Sequence, residues 1–573
     1  MKKWYMMLIA LIMCSMCACS RQEKNADKQV DDDIEYTNNV ENTTTTEQDT
    51  EVNSLKSSGI YGYDENDLIM YCEEVGFLNK EGKIFRIGDN QNCDFKFNVS
   101  SVWNMYDSYD KTGFFGQYAI VSVLDYADHK TRLYYLDSEI SPILLSTQDN
   151  IGTHYVMMKS DISVDGKWVL YLEKPKSMGD LGRTDDYDLR LYNAEDNSNV
   201  IIATNVCGAT FTLDGEHLVY YEMSPEYVEN GNTDNKRFTV VNLKTLDERK
   251  VYAESDYGDN IHLTGLWEIK ANGDILIFNY IGGIEEYYAN GVSLIRNNEL
   301  YTLFENDQYN IIANRDMSEM FVINNHRIFY YDIEALKSVD LGENYRINIP
   351  ILGTRRNCMY SIDSFDNMVF VSEDGIYLWD RSTLKLEKVL SMNGYETEST
   401  IINYFESDVV IVKDNNKICR IDKLSKTPEI TTLFITADGS ISDTMYDISP
   451  YQPLDDNLWF IVDEDIDYVL YGVDKYGRVL HKVSGELISS SNFSEIGYLP
   501  YANQYILMAY DYNDNEHIYT VDANGEEIKL IEDRNVEEVY TSTSVWVVYS
   551  LEDGMLCMYN GEKVIDIGLP AAD

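Results

Sequence analysis

Short apolar, β-rich runs recur along the chain, and each of them ends in Asp or Asn. From residue 89 to residue 560 their mean spacing is about 47 residues, a period typical of repeat architectures. The runs are KIFRIGD, RLYYLD, DLRLYN, RFTVVN, VSLIRN, RIFYYD, GIYLWD, KICRID, VLYGVD, HIYTVD and MLCMYN. Their closing residues are Asp89, Asp137, Asn193, Asn242, Asn297, Asp332, Asp380, Asp422, Asp474, Asp522 and Asn560.

A second pair of strands precedes most of these runs. Two clear examples are SDISVDGKWVLYLEK at 160–174 and ATFTLDGEHLVYYEM at 209–223, each with an Asp-Gly step between two apolar runs. Asp-Gly is a strong hairpin signal, because glycine adopts positive φ without steric cost. A fourth strand follows the closing residue, as in GEEIKLIED. Four antiparallel strands in about 47 residues predict one blade of a β-propeller.

The two Asp-Gly segments also resemble a known family. SVDGKWVLYLE and TLDGEHLVYYE are similar to the S-P-D-G repeats of TolB-like propellers, with Val164 and Leu213 where that pattern has proline. The resemblance, which extends loosely to WD40-like repeats, implies an all-β propeller fold.

The number of repeats decides the expected domain organisation. Eleven repeats exceed the roughly four to eight blades of a usual propeller. We therefore expect two packed propellers, residues 59–310 and 311–573, with one large propeller as the alternative. The short gap between Asn297 and Asp332 favours a junction near that point.

The N-terminal stretch MKKWYMMLIALIMCSMCACS has two lysines and then a short apolar run. Such a run is too short for a permanent membrane span and suits the core of a signal peptide.

The following Met-Cys-Ala-Cys resembles the lipobox of bacterial lipoproteins. This implies cleavage of residues 1–18 and a lipid anchor on Cys19, since Ala18 is the small residue before the cut; Cys17 follows the bulkier Met16. Acyl chains such as palmitate would hold the protein on the extracytoplasmic face of the bacterial cell membrane. A plain secretory signal is the alternative.

Residues 19–58 differ from the rest in composition. They include the acidic triplet Asp31–Asp33 and the run Thr43–Thr46, and they contain few large apolar residues. Such a segment cannot bury enough surface to offset its ordering entropy, so we expect a disordered acidic tether.

Net charge and cysteine usage exclude some classes of protein. The formal net charge of −52 would repel a polyphosphate, so no nucleic-acid partner is expected. The cysteines after Cys19 are scattered and form no CxxC pair, so a zinc site is not expected. No phosphate-binding glycine loop is present either, and we expect no cofactor and no resident metal.

Candidate chemical sites are weak. The segment DYNDNEH offers Asp511, Asn513 and Asn515 as oxygen ligands for calcium, although a polar hairpin tip explains the same residues. No G-x-S-x-G motif occurs, and the seven histidines are isolated.

Asp522, in HIYTVDANGEE, is one of the eleven closing residues, which favours a structural hydrogen-bonding role over a site. The tryptophans in predicted strands favour packing between blades, with a sugar-stacking platform as the alternative.

These observations favour binding over catalysis. The sequence predicts a lipid-anchored binding or scaffolding module, not an enzyme, for an envelope protein, a peptide or a glycan. The alternative is a glycan hydrolase or lyase built on the propeller.

Overall fold

The computed structural model describes residues 64–568, with internal gaps of which the longest are 99–113, 175–186, 224–235 and 442–457. These residues belong to one compact unit. In this part of the chain no helix is both long and apolar enough to cross a membrane. The predicted signal peptide and tether lie outside the described residues.

Strands account for nearly all of the regular structure, beside the short 3-10 turns Glu65–Asp67 and Glu254–Asp256. The strands of the N-terminal half are β1 (Ile69–Cys72), β2 (Gly76–Asn79), β3 (Ile84–Phe85), β4 (Gln91–Phe97), β5 (Phe114–Gly116), β6 (Ala119–Asp125), β7 (Lys130–Leu136), β8 (Ile143–Asp149), β9 (Ser160–Ile162), β10 (Trp168–Glu173), β11 (Tyr187–Asn193), β12 (Ser198–Val206), β13 (Gly208–Phe211), β14 (His217–Met223), β15 (Lys236–Asn242), β16 (Arg249–Ala253), β17 (Gly265–Ile269), β18 (Ile275–Gly282) and β19 (Tyr287–Arg296).

The strands of the C-terminal half continue the same plan. They are β20 (Glu299–Asn314), β21 (Glu319–Asn324), β22 (Arg327–Asp332), β23 (Lys337–Gly342), β24 (Arg346–Asn348), β25 (Thr354–Arg356), β26 (Met359–Ile362), β27 (Val369–Ser372), β28 (Gly375–Asp380), β29 (Lys385–Ser391), β30 (Ile401–Asn403), β31 (Val409–Asp414), β32 (Lys417–Asp422), β33 (Ile430–Ile435), β34 (Ser440–Ile441), β35 (Leu458–Glu464), β36 (Asp467–Val473), β37 (Val479–Ser484), β38 (Ser490–Leu499), β39 (Gln504–Asp511), β40 (Glu516–Asp522), β41 (Ile528–Thr541), β42 (Val547–Leu551), β43 (Leu556–Tyr559) and β44 (Val564–Gly568).

These strands form small antiparallel sheets in which neighbours in sequence are mostly neighbours in space. The four-stranded sheets have the orders β3-β2-β1-β5, β4-β6-β7-β8, β12-β11-β10-β9, β13-β14-β15-β16, β24-β27-β28-β29, β30-β31-β32-β33 and β34-β35-β36-β37. A nine-stranded sheet holds β17 to β23 with β25 and β26, and a seven-stranded sheet runs from β38 to β44. The predicted all-β propeller fold is thereby confirmed, whereas the number of blades stays a prediction.

The burial of each strand follows its place in its sheet. Strands β2, β42 and β43 are buried at every position, because neighbouring sheets cover both of their faces. Outer strands such as β8 and β12 alternate or are largely exposed. Runs of continuous apolar residues therefore mark the middle strands of a blade, and alternating runs mark its edges.

The Asp-Gly steps form the tight turns that the sequence predicts. Ser163 donates its hydroxyl to the Asp165 carboxylate at 2.6 Å, and Gly166 adopts a φ of +70°. A Cβ on Gly166 would lie 1.9 Å from the Tyr118 ring, so a larger residue does not fit there. Gly215, also with a φ of +70°, repeats the turn in the next sheet.

The closing Asp and Asn residues hold the turn that follows each run. Their side-chain oxygens accept hydrogen bonds from backbone N–H groups two residues further on, as the sequence predicts. The described examples with this bond are Asp137, Asn193, Asn242, Asp380 and Asn560. For Asp522 the following residues, 523–527, lie outside the described part of the chain.

Polar contacts and apolar clusters join one sheet to the next. The Asp161 carboxylate of β9 accepts hydrogen bonds from the Thr210 hydroxyl at 2.8 Å and the Phe211 backbone N–H at 3.0 Å. Within the nine-stranded sheet, Arg296 of β19 donates to the carbonyl oxygen of Glu334 at 3.1 Å. Buried clusters lie between successive sheets, one of them around Trp267 and Phe238.

The last sheet contacts the first. The Asn560 amide donates to the Lys80 carbonyl oxygen at 3.1 Å, and Arg86 donates to the Ile567 carbonyl oxygen at 3.3 Å. A Cβ on Gly82 would lie 2.9 Å from the side chain of Ile565, so the two sheets are closely packed. Sheets that meet in sequence order and return to the first sheet are the arrangement of a propeller.

Two long strands each continue from one group of four strands into the next within the same sheet, without a loop. Strand β20 pairs with β19 through its first half and with β21 through its second half. Strand β41 does the same between β40 and β42. The predicted domain boundary at 310/311 falls within β20, and the division into two propellers stays a prediction.

Candidate functional site

A hairpin, β25–β26, extends the sheet that begins with the second half of β20. Strand β26 pairs in parallel with β20, with Ile311 opposite Met359 and Asn314 opposite Ile362. Strand β25 pairs antiparallel with β26, and in the described residues β26 is its one partner strand. Among the described strands, none pairs with the other edge of this three-residue strand. We call β25 and β26, together with the second half of β20, the hairpin site.

The hairpin lies within the connection between β24 and β27, the first two strands of the next sheet. Between β9 and β10 this connection is a tight turn of five residues, whereas between β4 and β6 it is long and contains β5, which pairs with β1 of the preceding sheet. Here it spans residues 349–368, and it returns to the preceding sheet instead of completing its own. In a propeller the first strand of each blade borders the central channel, so the hairpin extends a blade on that side.

The end of β20 beside the hairpin is held by a compact set of polar side chains. The Asn314 amide donates to the Ser318 hydroxyl at 2.9 Å and its oxygen accepts the Glu319 N–H at 2.9 Å. Asp316 accepts from the Ser318 N–H and hydroxyl at 3.1 and 2.7 Å. Burial would raise the pKa of Asp316, but these hydrogen bonds outweigh it and the pKa is lowered. The turn is therefore anionic and fixed in position.

Glu319 links this turn to the next sheet. It is 5% exposed and accepts hydrogen bonds from the Tyr330 hydroxyl and from Arg381 Nε, the latter at 3.0 Å. Burial, with the Glu319 carboxylate, raises the pKa of Tyr330, so this hydroxyl stays protonated as a donor. Because Glu319 Oε1 accepts both hydrogen bonds, the Glu319 side chain ties the turn to Tyr330 and Arg381.

No catalytic constellation can be assembled from the described side chains. In the described residues no three His, Cys, Asp or Glu side chains gather closely enough to hold a metal. Burial raises the pKa of Cys93 to about 11, and burial with the nearby Asp566 raises that of Cys557 to about 12. Both are therefore thiols at neutral pH, and a thiol is a poor nucleophile.

One Asp–His pair has the geometry of two triad members. His217 Nδ1 lies 3.0 Å from the Asp214 carboxylate, and Asn242 Nδ2 lies 3.4 Å from His217 Nε2. Burial would raise the pKa of Asp214, but the hydrogen bonds from His217 and Thr212 outweigh it and lower the pKa. The pair occupies an Asp-Gly turn, and an amide neighbour cannot serve as the nucleophile. We therefore assign the pair to the turn.

The residues singled out by the sequence are only partly described. Cys19 and Asn513 lie outside the described residues. Asp511 ends β39 and Asn515 precedes β40, on either side of the undescribed tip 512–514. The lipid anchor and the weak calcium site therefore stay predictions.

Three of the described tryptophans are buried packing residues, and Trp168 is partly buried. Trp267 is 1% exposed, stacks on Phe238 with ring centroids 5.5 Å apart and donates to the Leu263 carbonyl oxygen at 3.1 Å. Trp379 and Trp546 are also buried. A sugar-stacking platform requires an exposed ring face, which these three do not offer.

Comparison with known proteins gives likeness in fold alone. No known protein family and no curated protein matches the sequence. The β-propeller domain of the Trilobed protease from Pyrococcus furiosus is similar with a TM-score of 0.26 and 10% identity, over 55% of this chain and 90% of that one. Tricorn protease gives 0.23 and 14%, over 79% and 43%. Prolyl oligopeptidase B from Galerina marginata gives 0.24 and 10%, over 82% and 54%. This chain spans about half the length of the latter two.

These comparisons correct the functional predictions. The sequence predicts a binding or scaffolding module that is not an enzyme, with a glycan hydrolase or lyase as the alternative. Those predictions are wrong, because the similar structures are mainly peptidases. At 10 to 14% identity the likeness concerns the propeller, so no residue role is carried over.

The sequence also misses the hairpin site itself. The adjacent pair Arg355–Arg356 is the one signal that could have drawn attention to β25. Its position at a sheet edge depends on a parallel pairing that no local pattern indicates.

Proposed function

We propose that the protein has a peptidase-type function, in which the propeller takes up extended peptides for hydrolysis and positions them along β25. The open edge of β25 carries this proposal. A strand edge presents N–H and C=O groups that pair with an extended peptide of almost any sequence. Natural proteins usually cover or charge such edges, so an open edge on the channel side is suited to receive a ligand.

Two features support uptake at this place. The hairpin is built on Ile311, Ile312 and Ala313, which are fully buried, so its base is a rigid strand. The anionic turn that follows is fixed by hydrogen bonds at the same end of β20. An edge on a rigid base loses little freedom when a peptide binds, which favours affinity.

The location of the protein in the cell and its type of repeat are also part of this proposal. The lipobox resemblance supports a bacterial lipoprotein anchored through Cys19 outside the membrane, and the Asp-Gly turns support a TolB-like type of repeat. Cys19→Ala should move the protein from the membrane fraction to the soluble fraction. Retention of the variant in membranes would contradict the anchor.

Peptide hydrolysis tests the function directly. The full chain, purified in detergent, is incubated with a library of quenched fluorescent peptides, alone and with an envelope fraction from its host. We expect cleavage, with a kcat/KM about tenfold lower when Thr354–Ile362 is replaced by a short Gly-Ser link. The control replaces nine residues, 445–453, of the connection between β34 and β35 by the same link.

Two results would overturn the proposal. One is the absence of cleavage in both conditions. The other is an unchanged kcat/KM in a hairpin variant that keeps its β-rich circular dichroism spectrum.

A further inference from the structure

A cleft lies between the outer parts of two neighbouring groups of strands. One wall is the first half of β20, and the other wall is β22 with β23. The volume of the cleft is about 230 Å³. Tyr301, Leu303 and Tyr331 line it, and the same three side chains pack against the buried cluster between the two groups of strands. The cleft is therefore the outward continuation of an apolar core, with room for a further apolar group.

The aromatic side chains of the cleft are fixed in position. The Tyr301 hydroxyl donates to the Glu299 carboxylate at 2.8 Å, and this hydrogen bond raises the pKa of Tyr301, so the ring is uncharged at neutral pH. The Tyr331 ring lies against the Phe304 ring, with centroids 5.7 Å apart. Rings that are already positioned lose little freedom when a ligand binds, which favours affinity.

Leu336, on the rim of the cleft, combines an unusual backbone conformation with an exposed side chain. Its φ is +51°, in the left-handed region that costs free energy for a residue with a Cβ. Leu246 and Leu384 have the same place in other turns, four residues after the closing Asn or Asp, with φ of +58° and +53°. Both of them pack against buried clusters, whereas Leu336 is 40% exposed. A ligand in the cleft would give Leu336 the packing that the other two leucines have, and strained residues of this kind cluster at ligand sites.

The size of the cleft limits what it can hold. An apolar cavity of about 150 Å³ takes a benzene molecule, and drug-sized ligands need about 300 Å³ or more. At about 230 Å³ the cleft has room for one bulky side chain with a short length of its backbone. A Phe or Leu side chain has this size and matches walls made of tyrosine and leucine.

The charges around the cleft nearly balance. Lys337 lies directly opposite Asp332 in the register of β22 and β23. Arg296, which donates to the Glu334 carbonyl oxygen in the same turn, forms an ion pair with Asp274 at 2.7 Å. An uncharged side chain therefore suits the cleft. The net charge of −52 also disfavours acidic residues on either side of that side chain.

We propose that the cleft is a second anchor for peptide substrates and that it takes one bulky apolar side chain, Phe or Leu. The inference rests on the proposed function, because the anchored peptide is the substrate of the peptidase-type protein. Strand β20 joins the two places, since Leu303 lines the cleft and Ile311, eight residues further on, pairs with the hairpin. At about 3.3 Å per residue, an extended substrate of about nine residues can reach both.

Two matched peptides test the cleft without relying on hydrolysis. The full chain, purified in detergent, is titrated with labelled Thr-Ser-Phe-Ser-Thr and Thr-Ser-Ala-Ser-Thr, followed by fluorescence anisotropy. We expect the Phe peptide to bind about tenfold more tightly, because its ring is removed from water between Tyr301 and Tyr331. Since burial and not charge produces this preference, it should change little between about 0.1 M and about 0.5 M salt.

Variants locate the preference. In Leu336→Asn the two peptides should bind almost equally. Asn tolerates the left-handed conformation, so this variant keeps its fold and a lost preference reports on the cleft. Leu530→Asn makes the same change at a leucine that is 45% exposed on β41, and it should keep the preference. Tyr301→Ala removes a ring from the wall and should reduce the preference as well.

Several outcomes would overturn the inference. One is equal binding of the two peptides to the natural chain, and another is a preference that survives in Leu336→Asn. Chitotriose is a third probe, and its binding without any preference for the Phe peptide would assign the cleft to a sugar. Self-association of the natural chain that Leu336→Asn abolishes, measured by light scattering, would assign the cleft to a second copy.

Hydrolysis keeps the two proposals apart. Cleavage of peptides by a chain that binds the Phe and Ala peptides equally would overturn the inference and leave the peptidase proposal standing. Preferential binding of the Phe peptide without cleavage in any condition would support the cleft as a site for a bulky side chain and overturn the peptidase-type function.

Discussion

Strands β20 and β41 have the same place in the architecture but different neighbours. Each leaves the outer side of one sheet and continues as the first strand of the next. The second half of β20 is paired on both edges, with β21 and β26. Among the described strands, the second half of β41 is paired with β42 alone. The four strands that begin with the second half of β41 form a blade without such a hairpin. The hairpin beside β20 is therefore an addition to the four-stranded blade.

The two regions also share a buried carboxylate. Glu319, after β20, accepts from Tyr330 and Arg381, while Glu532, in β41, accepts from Tyr549 and Arg534. Both carboxylates are nearly inaccessible, at 5% and 3% exposed. A Glu, Tyr and Arg set occurs at both sites, which indicates that it holds the long strands in place. Because β41 has this set and no hairpin, the set is not a feature of the hairpin site.

The largest expected effect comes from the buried base of the hairpin. Ile312→Ala should lower the free energy of unfolding by about 3 kcal/mol, because Ile312 is fully buried among aromatic side chains. Val539→Ala, at a half-buried position of β41, should cost about 1 kcal/mol. Urea denaturation of both variants measures the difference. An equal loss in the free energy of unfolding in both variants would mean that Ile312 is no more tightly packed than Val539.

The next effect concerns Glu532. Burial would raise its pKa, but hydrogen bonds from Arg534 and Tyr549 outweigh this, so the pKa lies below the usual 4.5. The charged pair therefore stabilises the fold above about pH 4.5, and this contribution is lost as the pH falls through the folded-state pKa. Glu532→Gln should cost about 1–2 kcal/mol at pH 7, since Arg534 is partly exposed and screened.

The pH dependence provides the check for Glu532. The stability difference between Glu532→Gln and the natural chain should be constant well above pH 4.5 and should disappear as the pH falls below that value through the folded-state pKa. Glu538→Gln, on the exposed part of the same strand, is the control and should show no such change. A difference that persists at low pH would show that shape, and not charge, holds Glu532 in place.

Hydrogen exchange compares the two strand edges directly. Successive amides of a strand point to opposite edges, so every amide of Ile311–Ala313 has a strand beside it. In Glu538–Thr541 alternate amides should exchange about tenfold faster than any in Ile311–Ala313. Replacing the hairpin by a short link should produce the same alternation in β20. Uniform protection after that replacement would contradict the parallel pairing.

The smallest effect lies in the turns of the two blades. Leu336, between β22 and β23, has a φ of +51°, whereas Gly561 has a φ of +91° in the corresponding turn between β43 and β44. Leu336→Asn should stabilise the protein by about 0.5–1 kcal/mol, because Asn tolerates this conformation, as Asn197 does at φ +58°. Gly561→Ala should destabilise it, since a Cβ there would lie 2.7 Å from Ala502 Cβ. Thermal unfolding of both variants measures the two opposite shifts.

Much of the fold can be predicted from the sequence because its turns are local. Asp-Gly steps and closing Asp or Asn residues act within five residues of their own position, so a period of about 47 residues is visible in the letters alone. The short gap between Asn297 and Asp332 has a structural cause as well. Strand β20 serves two sheets, so no connecting loop is needed between them. The short gap from Asp522 to Asn560 contains β41 and has the same cause.

The candidate site could not be predicted in the same way. The parallel pairing of β26 with β20 joins segments almost fifty residues apart, and neither segment carries a pattern that specifies the other. Burial of Glu319 and Glu532 is equally hidden, because 98 acidic residues offer no means of telling a buried carboxylate from a solvated one. The arginine pair was visible, but its place at a strand edge was not.

The contact between the first and last sheets has a consequence for how the protein is made. Residues about 480 positions apart must meet, and contacts of such separation form slowly because a long loop must close first. While the chain is being synthesised, the side of the first sheet around Gly82 has no covering partner until the final hairpin emerges. The time between these two events is when the unfinished protein is most prone to aggregate or to be degraded, and a chaperone that shields the first sheet would act there.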